Sequence, residues 1–508
     1  MARQSTMLLT LLATLLVALT AAVQAATLPD STVWTNTNYL KQIDLAGSTS
    51  HALTTVTIKP KSAPASSDAT LPYYFLLSTQ EAEQLSWSRL TVKPALDSAL
   101  ASTSELKGGA RPVLALKPQG PVDGDAGKSY LYKVDVPTNV LGADGASLTL
   151  ETTLNHVTVP LPSTVKQTEP QLFLWTGDAA IRSPYTIVSG RIKVKAASPK
   201  IVAFTPSDAT KSGSIVTFGP FSNIAPHTSS EVASGSVHFQ ADTPRATIVT
   251  LDRTAEISHW GDALSITDRI LLRNSGPTLK GHFSRIEHQM ASFYNRGSGS
   301  ALSSLSFTLP AGVKDPWFID QIGNVSTSRF RASPPNPALV SASTGLPSSS
   351  AKLSLLELQP RFPLLGGWNY TFSIGYTLPL SQGGWTKQLF GSDDYVTAVP
   401  LFTPLKDVAV NELTTTIVLP EGATRVQVEL PFEMEVENGI TKTYLDTVGR
   451  PAVRVERSNC SPQHAQLVYV KYTLTHRANL IKVAAVAGVT ALLLAATAVV
   501  QRVETKIR

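Results

Sequence analysis

The chain contains almost no cysteine: Cys460 is the single one among 508 residues. One cysteine cannot form an intramolecular disulfide, and it excludes zinc and redox sites that are built from several cysteines. Charged residues are also scarce, at 16%, and the 43 lysines and arginines are dispersed rather than clustered. The net charge of +6 therefore does not indicate a nucleic-acid partner. Hydrophobic residues make up 43% of the chain, which excludes a disordered stalk.

An apolar run near the C-terminus organises the rest of the chain. Residues Val483 to Val500 carry no charge, and as a helix they would be about 27 Å long, close to the hydrocarbon thickness of an endoplasmic-reticulum bilayer. Lys482 and Arg502 hold charge at the two edges. The only polar residues inside are Thr490 and Thr497, whose hydroxyls can bond back to the preceding turn. The run predicts a transmembrane helix and disfavours the alternative, a buried helix of a soluble protein.

The N-terminus predicts on which side of the membrane the bulk of the chain lies. Residues Met1 to Ala25 combine one early positive charge, Arg3, with an apolar run from Met7 to Val23 and a small residue at the end. This pattern is typical of a cleaved secretory signal peptide. We therefore expect a single-pass type I protein, with residues 26–482 outside the cytosol and a short cytosolic tail at 501–508.

One face of the predicted transmembrane helix is rich in small residues. Ala487, Ala491 and Ala495 recur every four positions, and Ala484 with Gly488 has the same spacing. Small residues let helix backbones approach closely within lipid, so this face is a candidate packing surface for a partner helix. The alternative is that alanine is merely tolerated in a weak anchor, and the sequence leaves both interpretations open.

The region before the helix is predicted to be mainly β, as two tandem sandwich-like domains at 26–250 and 251–476. Segments rich in Val, Ile, Leu and Thr alternate with turn residues, for example at Ala246 to Ile257. The Pro- and Gly-rich stretch from Gly108 to Gly127 is predicted to be a loop. The Ser-rich stretch from Ser333 to Ser350 is predicted to be an insertion or a hairpin tip.

Candidate catalytic motifs in the first domain are weak. Asp123 and Asp125 have the Asp-x-Asp spacing that some sugar transferases use to hold a metal, but they lie in a Pro-Gly loop, which favours a turn. Gly127-Lys128-Ser129 ends like a phosphate-binding loop, yet Val122 occupies the position of the required glycine.

Candidates in the second domain are no stronger. His282, Glu287 and His288 lack the H-E-x-x-H spacing of a zinc helix and are favoured as surface or hydrogen-bonded residues. Two pairs of neighbouring carboxylates are most simply solvated loop or edge-strand residues: Asp393 with Asp394, and Glu433 with Glu435. No Ser, His and Asp set stands in a strand-turn-helix context. The sequence therefore predicts no catalytic, metal or cofactor site.

Three Asn-x-Ser/Thr sequons suit a chain that enters the secretory pathway: Asn324, Asn369 and Asn459. Asn324 follows a glycine and precedes a polar run, which is typical of an exposed turn. Asn369 adjoins a predicted strand, and Asn459 is followed closely by Pro462, which hinders modification. We expect glycosylation at Asn324 first, then at Asn369, and last at Asn459.

Short motifs follow one another along most of the chain before the apolar run: LETTLNHVTVPLP (150–162), FGPF (218–221), SHWG (258–261), LKGHFSR (279–285), IGNVSTS (322–328), RFPLLGGW (361–368), LPEGA (419–423) and YLDTVGRP (444–451). As an ordered set they resemble the ribophorin I family, whose members are a subunit of the oligosaccharyltransferase of the endoplasmic reticulum. In LKGHFSR, His282 replaces a proline that is usual in the family.

The resemblance implies a non-catalytic role in protein N-glycosylation. In this family a separate multispanning subunit transfers the dolichol-linked oligosaccharide to Asn-x-Ser/Thr of nascent polypeptides, and ribophorin I stabilises the complex and helps to present substrates. The implied partners are the other oligosaccharyltransferase subunits, including the catalytic one, together with nascent polypeptides and the membrane. The implied location is the endoplasmic-reticulum membrane, and no cofactor is implied.

Two other classes remain compatible with the residues alone. An independent lumenal enzyme would need a cluster of acid, base or metal-binding residues. A single-span β-sandwich receptor would fit the architecture, although receptors usually carry more disulfides and a longer cytosolic tail.

Overall fold

A computed structural model describes residues 26–62, 70–94, 111–123, 125, 128–227, 232–293, 300–334, 353–443, 446 and 448–502. The predicted signal peptide at 1–25, positions 335–350 of the Ser-rich stretch and positions 503–508 of the predicted tail lie outside the described residues. Glycosylation and packing candidates all lie within them.

The chain forms two compact units. The first comprises residues up to Ala46, Ser50–Val159 and Phe173–Gln240, and the second comprises Gly47–Thr49, Pro160–Leu172 and the chain from Ala241 onwards. Residue 250, the predicted domain boundary, lies inside a strand of the second unit that runs from Ala246 to Ser258.

The described residues of the first unit include one short α-helix, α1 (Thr79–Gln84). The strands of this unit are β1 (Trp34–Asp44), β2 (Ser50–Pro60), β3 (Thr70–Ser78), β4 (Leu85–Lys93), β5 (Val113–Leu114), β6 (Leu116–Pro121), β7 (Ser129–Pro137), β8 (Ala146–Leu154), β9 (Thr158–Pro160), β11 (Leu172–Asp178), β12 (Thr186–Lys195), β13 (Ile201–Thr205), β14 (Thr210–Ser212), β15 (Ile215–Ile224) and β16 (Ser234–Gln240). A further two-residue strand, β10 (Thr164–Val165), belongs to the second unit.

The described strands of the first unit form three sheets, and the largest has the strand order β14-β15-β12-β1-β2-β8-β4-β5. The smaller sheets have the orders β3-β7-β6 and β13-β16-β11-β9. Aromatic side chains fill part of the core: Trp34 lies edge-on to Tyr73 at 5.9 Å, and Tyr73 contacts Tyr185 at 5.1 Å. Because the Trp34 Nε1 donates to the carbonyl of Pro72 at 2.9 Å, its only polar atom is satisfied inside the core.

The described part of the second unit contains two further α-helices, α2 (Arg285–Phe293) and α3 (His476–Arg502). Its remaining strands are β17 (Ala246–Ser258), β18 (Ala263–Asn274), β19 (Thr278–Leu279), β20 (Leu305–Leu309), β21 (Lys314–Asp320), β22 (Ser328–Arg331), β23 (Ser354–Leu358), β24 (Asn369–Pro379), β25 (Thr386–Gln388), β26 (Asp394–Pro400), β27 (Ala409–Val418), β28 (Thr424–Glu429), β29 (Glu435–Thr441), β30 (Arg450–Cys460) and β31 (Leu467–Thr473).

One hydrophobic core joins the three larger sheets of the second unit. Their orders are β21-β24-β18-β17-β27-β30-β29, β25-β26-β31-β28 and β20-β23-β22. Along β18 the burial alternates strictly, with every second residue pointing inward from Leu264 to Asn274. This period of two is what a strand that covers a core on one face requires. The predicted fold class, mainly β with a C-terminal apolar helix, is confirmed.

The main sheets of the two units share one topology. In the first unit β1 pairs antiparallel with β2 and parallel with β12, and in the second β17 pairs antiparallel with β18 and parallel with β27. The neighbours correspond as well: β15, β8 and β4 take the places of β30, β24 and β21. The sequence shows no repeat, so this duplication is visible only in the strand order.

One sequence-based expectation was wrong in detail, and one helix was not predicted. The predicted loop from Gly108 to Gly127 contains strands β5 and β6, although β6 includes Pro118 and Pro121. Proline is tolerated here because β6 is an edge strand that pairs only with β7. The basic stretch around His288 forms the helix α2, which the residues alone did not predict.

A fully buried ion pair lies in the core of the second unit. Arg253 on β17 and Asp268 on β18 are cross-strand partners, and both side chains are 0% exposed. Two hydrogen bonds of 2.6 Å join the guanidinium to the carboxylate, and Arg253 Nη1 donates to the carbonyl of Pro400 at 2.9 Å. Because Pro400 ends β26, this one side chain connects the seven-stranded sheet to the four-stranded sheet.

We predict that replacing one partner of this pair destabilises the protein strongly. Arg253→Met leaves the Asp268 carboxylate buried without its cation, which costs about 3–5 kcal/mol of unfolding free energy. The double variant Arg253→Met/Asp268→Leu removes both charges, so it should recover much of the loss. Denaturant unfolding of the detergent-solubilised full chain measures both.

The control is the neighbouring exposed pair on the same two strands, Arg269 and Asp252, whose charged atoms are 3.7 Å apart. Arg269→Met should cost less than about 1 kcal/mol. Equal effects of Arg253→Met and Arg269→Met would contradict the role assigned to the buried pair.

Candidate functional site

The C-terminal helix α3 begins at His476 and ends at Arg502, so it extends seven residues before the predicted apolar run. Among the described residues it is the one helix long and apolar enough to cross a membrane, and none of its apolar window is buried against the protein. Thr490 Oγ1 donates to the carbonyl of Ala487 at 3.1 Å, and Thr497 Oγ1 to that of Leu494 at 2.8 Å. Both hydroxyls therefore bond back to the preceding turn as predicted, which removes the free-energy cost of an unbonded hydroxyl in an apolar medium.

The small residues of the predicted packing face, Ala484, Ala487, Gly488, Ala491 and Ala495, are all exposed on α3. A Cβ added at Gly488 would meet no atom within 4 Å. Within the described part of the chain this face is uncovered and sterically open. Its use as a contact for another helix stays a prediction.

The first turn of α3 packs on the β-sheet unit from which it emerges. Thr475 Oγ1 accepts a hydrogen bond from the backbone N–H of Ala478, and Ala478 packs against the hydrophobic core of the second unit. Gly422, in the LPEGA segment, approaches so closely that a Cβ there would lie 2.7 Å from the Ala478 Cβ. Its φ of +82° also favours glycine. The start of α3 is thus packed against the second unit, and a flexible linker does not separate the two.

A second close approach explains the glycines of the RFPLLGGW segment. A Cβ on Gly366 would lie 1.9 Å from the carbonyl oxygen of Pro277, and the backbone N–H of Trp368 closes the turn on the carbonyl of Leu365 at 3.0 Å. This motif is therefore a tight turn against a neighbouring backbone, which supports the structural interpretation of its glycines.

The sequons differ in how accessible they are. Asn324 is exposed in the turn after β21, and Asn369 is exposed at the start of β24 with Thr371 on the same side of the strand. Ser461, the hydroxyl residue of the third sequon, is 0% exposed and contacts His464 Nδ1 at 3.2 Å. The geometry is consistent with the predicted order, although glycan occupancy itself remains a prediction.

Sequence reasoning missed a buried Ser, His and Asp group in the first unit. His227 Nε2 lies 3.3 Å from Asp125 Oδ2 and 3.5 Å from Ser129 Oγ, and Arg182 Nη1 donates to the same serine oxygen at 3.1 Å. A catalytic triad uses both ring nitrogens, one for the serine and the other for the carboxylate. Here both partners meet the same nitrogen, and all three side chains are buried. The arrangement fits a structural polar cluster rather than an activated nucleophile.

A chain of ion pairs continues beside this cluster. Arg182 binds the carboxylate of Asp178 through two nitrogens, and Lys41 pairs with Glu81. Burial alone would lower the pKa of Lys41, but the surrounding acidic groups, with the adjacent Glu81 carboxylate foremost, together outweigh burial and leave that pKa raised. The charges of these residues are therefore held inside the fold by their partners.

The other sequence candidates are dispersed. His282 is exposed before α2, and His288 on α2 lies 5.9 Å from the ring of Phe283. Asp394 accepts a hydrogen bond from Thr473. Among the described residues no three His, Cys, Asp or Glu side chains are grouped so that they could hold a metal. Glu433 and Glu435 line an open groove beside strand β29 together with Glu412, Glu456, Arg454 and Arg457.

Comparison with known proteins identifies the family. The model of the family described as Ribophorin I matches residues 34–501, which includes both units and nearly all of α3. The chain is 34% identical over 340 residues to the rice dolichyl-diphosphooligosaccharide–protein glycosyltransferase subunit 1B, covering 66% of this chain and 65% of that protein. It is 33% identical over 386 residues to the Arabidopsis thaliana subunit 1B, covering 75% of this chain and 76% of that protein.

Other relatives are longer. The match to the Caenorhabditis elegans subunit 1 is 32% identical and covers 67% of this chain but 54% of that protein. Solved structures of a Deinococcus radiodurans M1 zinc metallopeptidase match 44–46% of the chain at 10–13% identity with TM-scores of 0.23–0.24, too low to support an argument. The alignment with the family model, in contrast, covers the strands, the turns with the quoted motifs and the apolar helix together. The chain therefore belongs to the ribophorin I family.

Proposed function

We propose that this chain is a non-catalytic subunit of an oligosaccharyltransferase, held in the endoplasmic-reticulum membrane by α3 with its two β units on the lumenal side. The observation that carries the proposal is the family match from residue 34 to 501, together with relatives whose names describe subunit 1 of this transferase. The subunit stabilises the complex and helps to bring nascent polypeptides to a separate catalytic subunit.

The architecture supports a role in assembly. Each β unit has its own core, and α3 is docked on the second unit through Ala478. A spanning helix that is fixed at its start presents its side chains in a defined direction, which favours packing against helices of other subunits. The open face with Gly488 and Ala491 is the surface we assign to that contact.

The assembly role predicts that a large side chain on the packing face of α3 weakens the association with other subunits. Ala491→Phe should reduce the amount of the other transferase subunits that co-purify in mild detergent, because a large ring keeps two helix backbones apart. Quantitative mass spectrometry of the purified complex measures this.

Leu493→Phe, two residues along and therefore on the opposite side of the helix, is the matched control and should leave co-purification unchanged. An Ala491→Phe complex with the full set of companions would contradict the assigned packing face.

The non-catalytic assignment predicts the behaviour of the isolated protein. The purified full chain should transfer no glycan from a dolichol-linked oligosaccharide to an Asn-x-Thr peptide, whereas membranes depleted of the chain should lose transfer activity. Adding the full chain back during assembly should restore it. Transfer by the purified chain alone would refute the assignment.

Lumenal exposure predicts modification at the accessible sequons. Asn324→Gln should remove one glycan, seen as a mobility step that disappears in samples treated with a high-mannose-specific endoglycosidase, because Asn324 is exposed in a turn. Asn459→Gln should leave the mobility unchanged, since its serine is buried. A protein without any glycan at Asn324 would contradict the predicted order.

A further inference from the structure

One end of the second unit carries several turns beside the start of α3. Strand β31 ends at Thr473, where it pairs with Asp394 at the start of β26, and the backbone N–H of Leu474 donates to the carbonyl of Asp393 at 2.9 Å. The turn at 389–393, which joins β25 to β26, therefore lies beside the chain that leads into α3. We call this end of the unit the helix end.

The turn between β17 and β18 lies at the same end. His259 Nε2 is 2.7 Å from the hydroxyl of Tyr472, the residue before Thr473, and its ring meets that of Tyr395 edge-on at 4.6 Å. These contacts place the next residue, Trp260, at the helix end. Its indole is 65% exposed.

A third segment reaches the helix end through the LPEGA segment. The backbone N–H of Val448 donates to Glu421 Oε1 at 2.6 Å, and Glu421 precedes Gly422, which contacts Ala478 of α3. Val448 is 65% exposed. The pairing of β29 with β30 agrees with this position, since Thr441 and Arg450 are paired and Val448 therefore lies beyond the paired ends of the two strands.

The three segments share one feature: each exposes a large apolar side chain at its tip. Phe390, in the turn after β25, is fully exposed, and Trp260 and Val448 are each about two-thirds exposed. An isolated apolar side chain on a surface is ordinary, but here three separate turns place one at the end from which a membrane-length helix emerges. Trp in particular is enriched at membrane–water interfaces, where the ring is partly buried and its N–H stays hydrated.

Simple lengths bring these tips within reach of lipid. The helix rises about 10 Å from His476 to Val483, where the uncharged run begins. Phe390 lies two residues beyond Gln388, the last paired residue of β25, so its backbone projects up to about 7 Å past the sheet. A phenyl ring adds roughly 5 Å to that reach, and the headgroup layer of each leaflet is about 5–8 Å thick.

We propose that Trp260, Phe390 and Val448 form a lipid-contacting surface, which inserts into the interfacial layer of the same leaflet that α3 enters. This inference rests on the proposed membrane span. It gives the second unit a second attachment to the membrane, so that the unit is held against the bilayer instead of pivoting about α3 alone.

The surface fits lipid better than a protein groove. Its apolar side chains stand on separate turns rather than forming one concave patch, and His476 and Arg477 lie exposed at the start of α3, where they can meet lipid phosphates. Carboxylates at this end accept hydrogen bonds from the protein itself: Asp262 from the backbone N–H and the hydroxyl of Ser381, Asp394 from Thr473, and Glu421 from the backbone N–H of Val448.

The experiment measures the depth of single probes in the full chain reconstituted into nanodiscs. The variants Trp260→Cys and Phe390→Cys are each labelled with an environment-sensitive fluorophore. Nitroxides on the lipid headgroup or deep in the acyl chain act as quenchers. Ile322→Cys is the matched control, because it is 81% exposed in the turn after β21, at the opposite end of the same sheet. Leu493→Cys, in the middle of α3, reports on the span itself.

The native Cys460 interferes little, since burial raises the pKa of its thiol to about 12, and the parent chain without an added cysteine measures the residual labelling. We expect headgroup nitroxides to quench the probes at 260 and 390 several-fold more than the probe at 322, and deep nitroxides to quench the probe at 493. All labelled sites are exposed, so the variants should keep the parental unfolding midpoint.

Three results would overturn the inference. Probes at 260 and 390 that are quenched no more than at 322, while the probe at 493 is quenched, would refute the lipid contact and leave the span intact. If the probes at 260 and 390 are not quenched and the cysteine at 390 is also protected from labelling in the assembled transferase, this surface contacts a protein partner instead. An unquenched probe at 493 would refute the proposed span and this inference together.

Discussion

The buried pair of Arg253 and Asp268 is the constraint on which the second unit depends. A guanidinium without solvent must have its donors satisfied, and here they bind one carboxylate on the adjacent strand and the carbonyl of Pro400 in another sheet. The pair therefore fixes how β26 meets the main sheet. Strand β26 pairs in turn with β31, which leads into α3. The position of the helix start follows from a polar contact in the core.

Packing also limits the backbone at the helix start. Gly422 and Ala478 approach too closely for a larger residue, and His259, Tyr395 and Tyr472 form a compact aromatic cluster beside them. These contacts couple the second β unit to a helix of membrane length. The relatives are named as subunits of a glycosyltransferase, and such a junction supports the assembly role proposed for this chain.

Much of the fold was predictable because it follows from local chemistry. Strands β18 and β24 cover a core on one face, so their apolar residues alternate along the sequence. A helix surrounded by lipid needs apolar residues on every side, so α3 shows a continuous uncharged run. The expectation failed at β6, where Pro118 suggested a loop. It also failed at α2, whose nine residues are too few for a clear helical period.

The buried polar clusters were less predictable than the packing face of α3, since their members are distant in the chain. Asp125 and His227 meet across 102 residues, and nothing local to either one indicates the other. Arg253 and Asp268 left a faint signal: each interrupts an inward-facing apolar series with a charge, and the two charges are opposite. Only strand register could show that they face each other.

The sequence by itself determined the family, the β-rich body, the cysteine-poor chemistry and the membrane-length helix, because each depends on composition, short motifs or period. The tertiary structure alone decided the duplicated topology, the geometry that disqualifies Ser129, His227 and Asp125 as a triad, and the gathering of Trp260, Phe390 and Val448 beside α3. These features depend on which strands pair. Strand pairing is determined by the free energy of the whole core, so it cannot be read from any single segment of the chain.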